Sequence, residues 1–351
     1  MNKDASHFYV GIDLGTATVR CLATERTPRG EALSLLYKEQ ETDWFRGSTP
    51  DWRKFRQTLK ILMDRLRKEG LRIASATVNV PHDTVCSAML SEADNAEPTA
   101  LQKSLSEPAP DTAILQDFRS RTGNRKAPIL DPRTGSRNIT VLCSEEFLGH
   151  LRHNLLRLGI VPEQLCATGT CLSYITGGME KNAYSLAIDI GARFTDFAVF
   201  RGQTPVLVNS LVGGGKDITS ALASGLNTPV KAARKLKEAG RIYFMSRETP
   251  SESRSKGAGS IIRREMEAIL RILKNQTDRH GLDPSAFHQI VLCGGCARFK
   301  NIETFFKTRL GHETRTLSFE GDGLFRQHGF NCAHAAVIGL ALHSFIIRNP
   351  S

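Results

Sequence analysis

YVGIDLGTATVRCLAT at residues 9–24 returns in altered form as LAIDIGARFTDFAVF at residues 186–200, and this repetition decides the fold. Each copy reads as strand, tight turn, strand. An apolar run arrives at an aspartate (Asp13, Asp189), a glycine follows two positions later (Gly15, Gly191), and a second apolar run leaves. The copies lie about half a chain length apart, which predicts two related halves with their hairpin tips facing each other across a cleft.

The residue types at the tips suit a phosphate chain and its metal. A hairpin tip presents backbone N–H groups and a carboxylate. Gly15 and Gly191 are expected to let the main chain approach phosphate oxygens where a Cβ would collide. The hydroxyls of Thr16, Thr18 and Thr195 can donate to those oxygens, with Ala17 completing the first tip. Asp13, Asp189 and Asp196 are the catalytic candidates, able to orient an attacking water. Asp13 and Asp189 are also the expected magnesium residues, acting through retained waters.

Two further segments follow in order. VGGGKDITSALASGLNTPVKAARKLKEAG at 212–240 reads as a glycine loop (Gly213, Gly214, Gly215) and two helices, the first capped by Asp217 or Thr219 and the second opened by Pro229. IVLCGGCARFKNIETFFKTRLG at 290–311 reads as a buried strand, a Gly294-Gly295 turn and a helix, with room for a flat base against the glycine backbone.

These four elements in this order resemble the actin-like ATPase superfamily, and within it the FtsA/PilM family. The hairpins resemble the family's phosphate-1 and phosphate-2 loops, and CGGCARFKN, with Arg298, its adenosine loop. The most specific match is GGGKDITSALASGLNTPVKAARKLKEAG, where the family carries G-G-x-x-I-T, then T-P, then a helix ending L-K-x-x-G. The resemblance implies an α/β, ribonuclease H-like, two-lobed fold with ATP and magnesium as cofactors. Residues 1–77 would form the first lobe, 78–160 an inserted 1C-type subdomain, and 161–182 the return to the first lobe. The second lobe would span 183–333 with a helical subdomain at about 226–285, and 334–351 would cross back. ITVLCSEEFLGHLRHNLLRLGIVPEQL resembles the PilM branch, as does a chain that stops just after HAAVIGLALHSFII.

Departures from the pattern bear on activity. Where the family reads D-I-G-G-G-T-T-D, this chain has Asp189, Ile190, Gly191, Ala192, Arg193, Phe194, Thr195 and Asp196. Bulky side chains at that tip are expected to hinder phosphate approach, unless Arg193 supplies a charge to it. The position of the family's ribose-binding glutamate holds Arg234, while Lys237 is retained. The expectation is a slow ATPase at most, or binding without hydrolysis.

Composition sets the remaining bounds. A chain of 351 residues with 40% hydrophobic content can bury a large core. No apolar run is long enough to span a bilayer and MNKDASHFYVGID holds no signal-peptide core, so a cytoplasmic protein is expected. The eight cysteines are scattered, several of them in apolar strands, as reduced core cysteines are. The net charge of +11 gathers at 118–137 and 246–265, which suits solvated faces or an anionic membrane surface. Nucleic acid is not expected, since neither tract interleaves aromatic residues.

The resemblance then implies a scaffold of the type IV pilus or type II secretion platform, binding the cytoplasmic tail of a bitopic inner-membrane protein beside the insert. Self-association and peripheral membrane contact accompany that reading. The alternative within the family is an FtsA-like protein linking the division ring to the membrane. A sugar or acetate kinase of the same fold is disfavoured, because no His or Asp stands by motif as its general base.

Overall fold

The computed structural model describes residues 8–26, 32–47, 49–90, 112–117, 138–176, 183–202, 204–239, 253–280, 282, 287–319 and 323–349. In the first lobe, β1 (Phe8–Leu14), β2 (Thr18–Arg26) and β3 (Ala32–Glu41) form an antiparallel meander. A small ribbon, β4 (Phe45–Arg46) with β5 (Thr49–Pro50), leads into helix α1 (Trp52–Lys68). The Asp51 carboxylate accepts from Lys54 N–H at 3.0 Å and caps α1, while Arg65, Arg67 and Lys68 sit at its negative C-terminal end. Its stripe of Phe55, Leu59, Leu62 and Leu66 is fully buried against the lobe. Strand β6 (Ser75–Asn79) then runs parallel to β1, and β10 (Val161–Cys166) runs parallel to β6.

Between β6 and β10 lie β7 (Cys86–Leu90), β8 (Thr112–Asp117), β9 (Asn138–Ser144) and helix α2 (Glu145–Arg157), capped by the Ser144 hydroxyl. This segment occupies the position expected of the inserted subdomain. Its three strands continue the sheet of the second lobe, because Asn209 pairs with Cys86 and Ser210 N–H donates to the Val85 carbonyl at 2.9 Å. Most of its polar stretch, and the basic tract 118–137, lie outside the described residues, as does 246–252 of the second basic tract.

After a short helix α3 (Thr168–Cys171), the second lobe repeats the first. Strands β11 (Tyr184–Ile190), β12 (Phe194–Arg201) and β13 (Thr204–Val212) form a meander. Helices α4 (Gly215–Gly225), α5 (Val230–Glu238) and α6 (Ser253–Arg279) follow, then β14 (Phe287–Cys293), α7 (Ile302–Leu310) and β15 (Thr314–Thr316). The strand order β15-β14-β11-β12-β13 matches β10-β6-β1-β2-β3 of the first lobe. Both sheets therefore send a hairpin tip to the same cleft.

The chain ends with α8 (Gly323–Gln327) and α9 (Ala335–Arg348), and α9 lies on the first sheet. On α9, His343 is 7% exposed; its Nδ1 lies 2.6 Å from the Tyr174 hydroxyl and its Nε2 2.7 Å from Gln164 Oε1. Burial pushes its pKa down to about 4, against an ordinary 6.5. The folded state thus favours the neutral ring, and its contribution, present above pH 6.5, is lost as pH falls toward 4. Its full size is about 3 kcal/mol. Denaturant melts of His343→Gln against wild type are expected to show the stability gap narrowing over that window. A gap independent of pH would contradict a buried neutral imidazole.

Candidate functional site

The first tip is built on cross-strand register. Asp13 stands opposite Arg20 on β2, whose guanidinium donates to Asp13 Oδ2 at 3.1 Å. Asn79, at the end of β6, donates to Asp13 Oδ1 at 3.0 Å and accepts from Leu14 N–H at 2.6 Å. The turn is braced from outside: Trp44 Nε1 donates to the Gly15 carbonyl and Thr42 N–H to the Ala17 carbonyl. A Cβ on Gly15 would stand 2.4 Å from the Thr18 carbonyl, so the hairpin's own backbone already demands glycine there.

The second tip closes in the same way, with Gly191 N–H donating to the Phe194 carbonyl and a Cβ excluded by that oxygen at 2.8 Å. The glycine loop packs directly behind it. Gly213, Gly215 and Lys216 amides donate to the carbonyls of Arg193, Gly191 and Ala192, and Gly214 N–H donates to Asp217 Oδ2. Three site expectations are corrected here. Gly213 and Gly214 do not line the cleft, because the Gly213 amide donates to the hairpin's Arg193 carbonyl and the Gly214 amide to Asp217, and Thr195 does not, because its buried hydroxyl donates to the Gly213 carbonyl at 2.8 Å. Gly215 reaches the cleft through its carbonyl, which accepts from Lys237 Nζ at 2.6 Å. Gly294, at φ +86°, lies so close that a Cβ would meet Asp189 Oδ1 at 2.4 Å, while Gly295 faces open space.

The cleft between the tips has a volume of about 1180 Å³, ample for a nucleoside triphosphate. Asp13, Gly15, Thr16, Ala17, Thr18, Asp189, Gly191, Asp196, Lys237, Gly294, Gly295 and Arg298 all line it. Its acids repel one another. No donor among the described residues reaches Asp189, and burial, then Asp196 and Asp13, push its pKa well above the carboxylate range. Burial raises Asp196 to about 7, against the Ser210 and Thr168 hydroxyls that favour its charge. Asp13 is raised by burial despite Arg20 and Asn79. Asp189→Asn is therefore expected to stabilise the ligand-free protein by about 1–2 kcal/mol at pH 8, read by thermal melting. Destabilisation would mean the carboxylate is structurally paired.

Around the acids stand cations. Among the described residues Arg193, Lys237 and Arg298 form no ion pair with a carboxylate. The mouth is spanned by pairs between lobes: Lys216 with Asp43 at 2.5 Å, and Arg234 with Glu41 at 3.2 Å. Arg234 also binds Glu238 at 2.7 Å. Phe194 is buried edge-on against Phe45 of the first lobe, with ring centroids 5.5 Å apart, and both rings line the cleft. Sequence reading missed Arg20, Asn79, Thr168, Asp43 and Lys216. Arg20 alone carried a signal, since a two-strand register through Gly15 puts it opposite Asp13.

Comparison with known proteins agrees with this geometry. A family model described as cell division protein FtsA matches residues 186–339. Cell division protein FtsA of Agrobacterium fabrum (strain C58 / ATCC 33970) is 21% identical over 371 residues, covering 90% of this chain and 82% of the relative. The solved PilM-PilN type IV pilus biogenesis complex superposes with a TM-score of 0.68 at 16% identity, over 95% of this chain and 98% of that one. These matches bear out the resemblance read from the sequence: residues 186–339 fit the FtsA model, and the chain as a whole shares the fold of the PilM structure. Other actin-like folds match more loosely. Ethanolamine utilization protein EutJ from Carboxydothermus hydrogenoformans gives a TM-score of 0.57 at 15% identity, over 95% of this chain and 89% of that one. MreB5 of Spiroplasma citri bound to ADP also gives 0.57, at 13% identity, over 99% of this chain and 100% of that one. Among FtsA/PilM features, the expected ribose-side position holds Arg234, turned to Glu41 and Glu238. Among the described residues no helix is long and apolar enough to cross a membrane.

Proposed function

We propose that this FtsA/PilM-type protein is an ATP-binding cytoplasmic scaffold of the type IV pilus or type II secretion platform, peripheral to the inner membrane and docked on the cytoplasmic tail of a bitopic membrane protein. The observation that carries the nucleotide part is the cleft itself: two hairpin tips bearing Asp13 and Asp189 with Asp196, ringed by three cations that have no carboxylate partner among the described residues. A phosphate chain answers those cations. The likeness to MreB5, solved with ADP, supports the same reading. The likeness to a PilM-PilN complex supports a protein partner, and the insert between β6 and β10 offers its surface.

Magnesium fits the donor set through water. The mutual repulsion of Asp13, Asp189 and Asp196 is what a divalent cation relieves, yet among the described residues no three acidic, His or Cys side chains converge closely enough to ligate one directly. Asp13 and Asp189 would hold its waters. When bound, the ion supplies charge neutralisation for the phosphates. Asp196, which burial raises to about 7, is the carboxylate able to accept a proton from an attacking water.

The test is a pull-down by the cytoplasmic tail of the bitopic protein encoded beside this gene, with and without ATP. Retention of the full chain, and its loss on deleting 78–160, is expected. No retention in either condition would sink the pilus reading. The second reading, an FtsA-like division protein, is favoured by the family match over 186–339. Filamentous cells on depletion, with pili intact, would establish it instead.

A further inference from the structure

Arg193 is the odd residue of the cleft. It stands at the very tip of the second hairpin, its carbonyl pinned by Gly213 N–H at 2.8 Å, and its side chain is half-buried against the cleft wall. Its Nε is buried and has no hydrogen-bond partner among the described residues. A desolvated guanidinium nitrogen left unpaired is costly, and the side chain that carries it lines a cavity that already carries Lys237 and Arg298. The next residue, Phe194, packs edge-on against Phe45 in the cleft wall. Phe45 stacks at 6.5 Å on Phe147 of α2, and Phe147 touches Trp52 and His82. One dipeptide thus joins the cleft to the helix of the insert through packed rings.

We infer that Arg193 and Phe194 form a terminal-phosphate sensor, with Arg193 meeting the last phosphate of a bound nucleoside triphosphate and Phe194 carrying the tip's position to α2. The inference rests on the nucleotide reading above. An arginine side chain gives a fork of donors that matches phosphate oxygens, and a diphosphate leaves that fork unanswered. Movement of the tip then reaches α2 because close-packed rings shift together.

Calorimetry on the full chain with Mg-ATP and Mg-ADP tests the first half. Arg193→Ala is expected to weaken ATP binding about tenfold or more while ADP changes less than about twofold, with Arg193→Lys intermediate. Equal losses for both nucleotides, or no loss, would overturn the sensor while leaving the nucleotide reading intact. A wild type that binds neither nucleotide would reject that reading and the sensor with it. Hydrogen exchange tests the second half: ATP, but not ADP, is expected to protect 144–157 in the wild type. In Phe194→Leu that protection should vanish with ATP affinity held within about threefold. Protection that persists in Phe194→Leu, or is absent from the wild type, would overturn the relay.

Discussion

Gly339→Val and Gly11→Val should each cost about 3 kcal/mol or more and leave little folded protein at 37 °C. The two glycines let α9 seat itself on the first lobe. A Cβ on Gly11 in β1 would meet Ala341 N at 2.6 Å and the Val337 carbonyl at 2.7 Å; one on Gly339 would meet the Cys171 carbonyl at 2.4 Å. All three obstacles are backbone atoms, which cannot rotate aside, so the helix itself must move. That movement would also strip the His343 ring of Gln164 and Tyr174 and disturb Arg348, which pairs with Glu163 and donates to the Phe8 carbonyl. Gly149→Ala serves as the control: it sits exposed in α2 with nothing within 4 Å, and alanine there should be neutral or stabilising by up to about 1 kcal/mol. Thermal melts that rank Gly339→Val with the control would refute the close seating of α9.

Arg20→Met should abolish measurable nucleotide binding and destabilise the ligand-free protein by about 2–4 kcal/mol at pH 8. Arg20 is the cation bonded to Asp13, and Asp13 shares its surroundings with Asp189 and Asp196. Removing the guanidinium leaves a buried carboxylate with Asn79 as its remaining side-chain donor. The sign with pH follows. Asp13 already titrates above its ordinary 3.8, and losing Arg20 raises it further, so its folded form holds the proton more tightly than the unfolded chain. The variant's deficit should therefore shrink on going from pH 8 to pH 5 and grow again on return. Urea melts at the two pH values measure it; an equal deficit at both would mean that Arg20 acts by packing alone.

What the sequence disclosed and what it withheld divide along physical lines. The hairpins, the helices after the glycine loop and the strand leading to Gly294 were legible because period and turn chemistry are local. The repeated pattern disclosed two related halves, and their matching strand orders appear only in the fold. Glycine was read correctly at the tips but for an incomplete reason: Gly15 and Gly191 are required by their own hairpin carbonyls before any ligand arrives. Gly213 and Gly214 looked like phosphate donors because a glycine loop exposes amides; only the fold reveals that hairpin carbonyls and Asp217 accept them. The pairs Lys216–Asp43 and Arg234–Glu41 join residues far apart in the chain, and no periodicity predicts such meetings. Arg193 and Phe194 were visible as departures, yet that one turns to the cleft and the other to Phe45 depends on β12 being anchored by β11 and β13.

The seam at Asn209 and Cys86 deserves a mechanical reading. The insert is fastened to the first lobe by covalent chain, by Gln116 accepting from Ala167 N–H and the Thr170 hydroxyl and by Arg56 donating to Asn154, and to the sheet of the other by the Asn209–Cys86 pair with the neighbouring Ser210 to Val85 bond. A body fastened in this way acts as a spring hinge: rotation of one lobe against the other must load or shear that narrow seam. Because the insert touches both lobes, a molecule docked on it would feel each relative swing of the lobes as a tilt of the surface it holds.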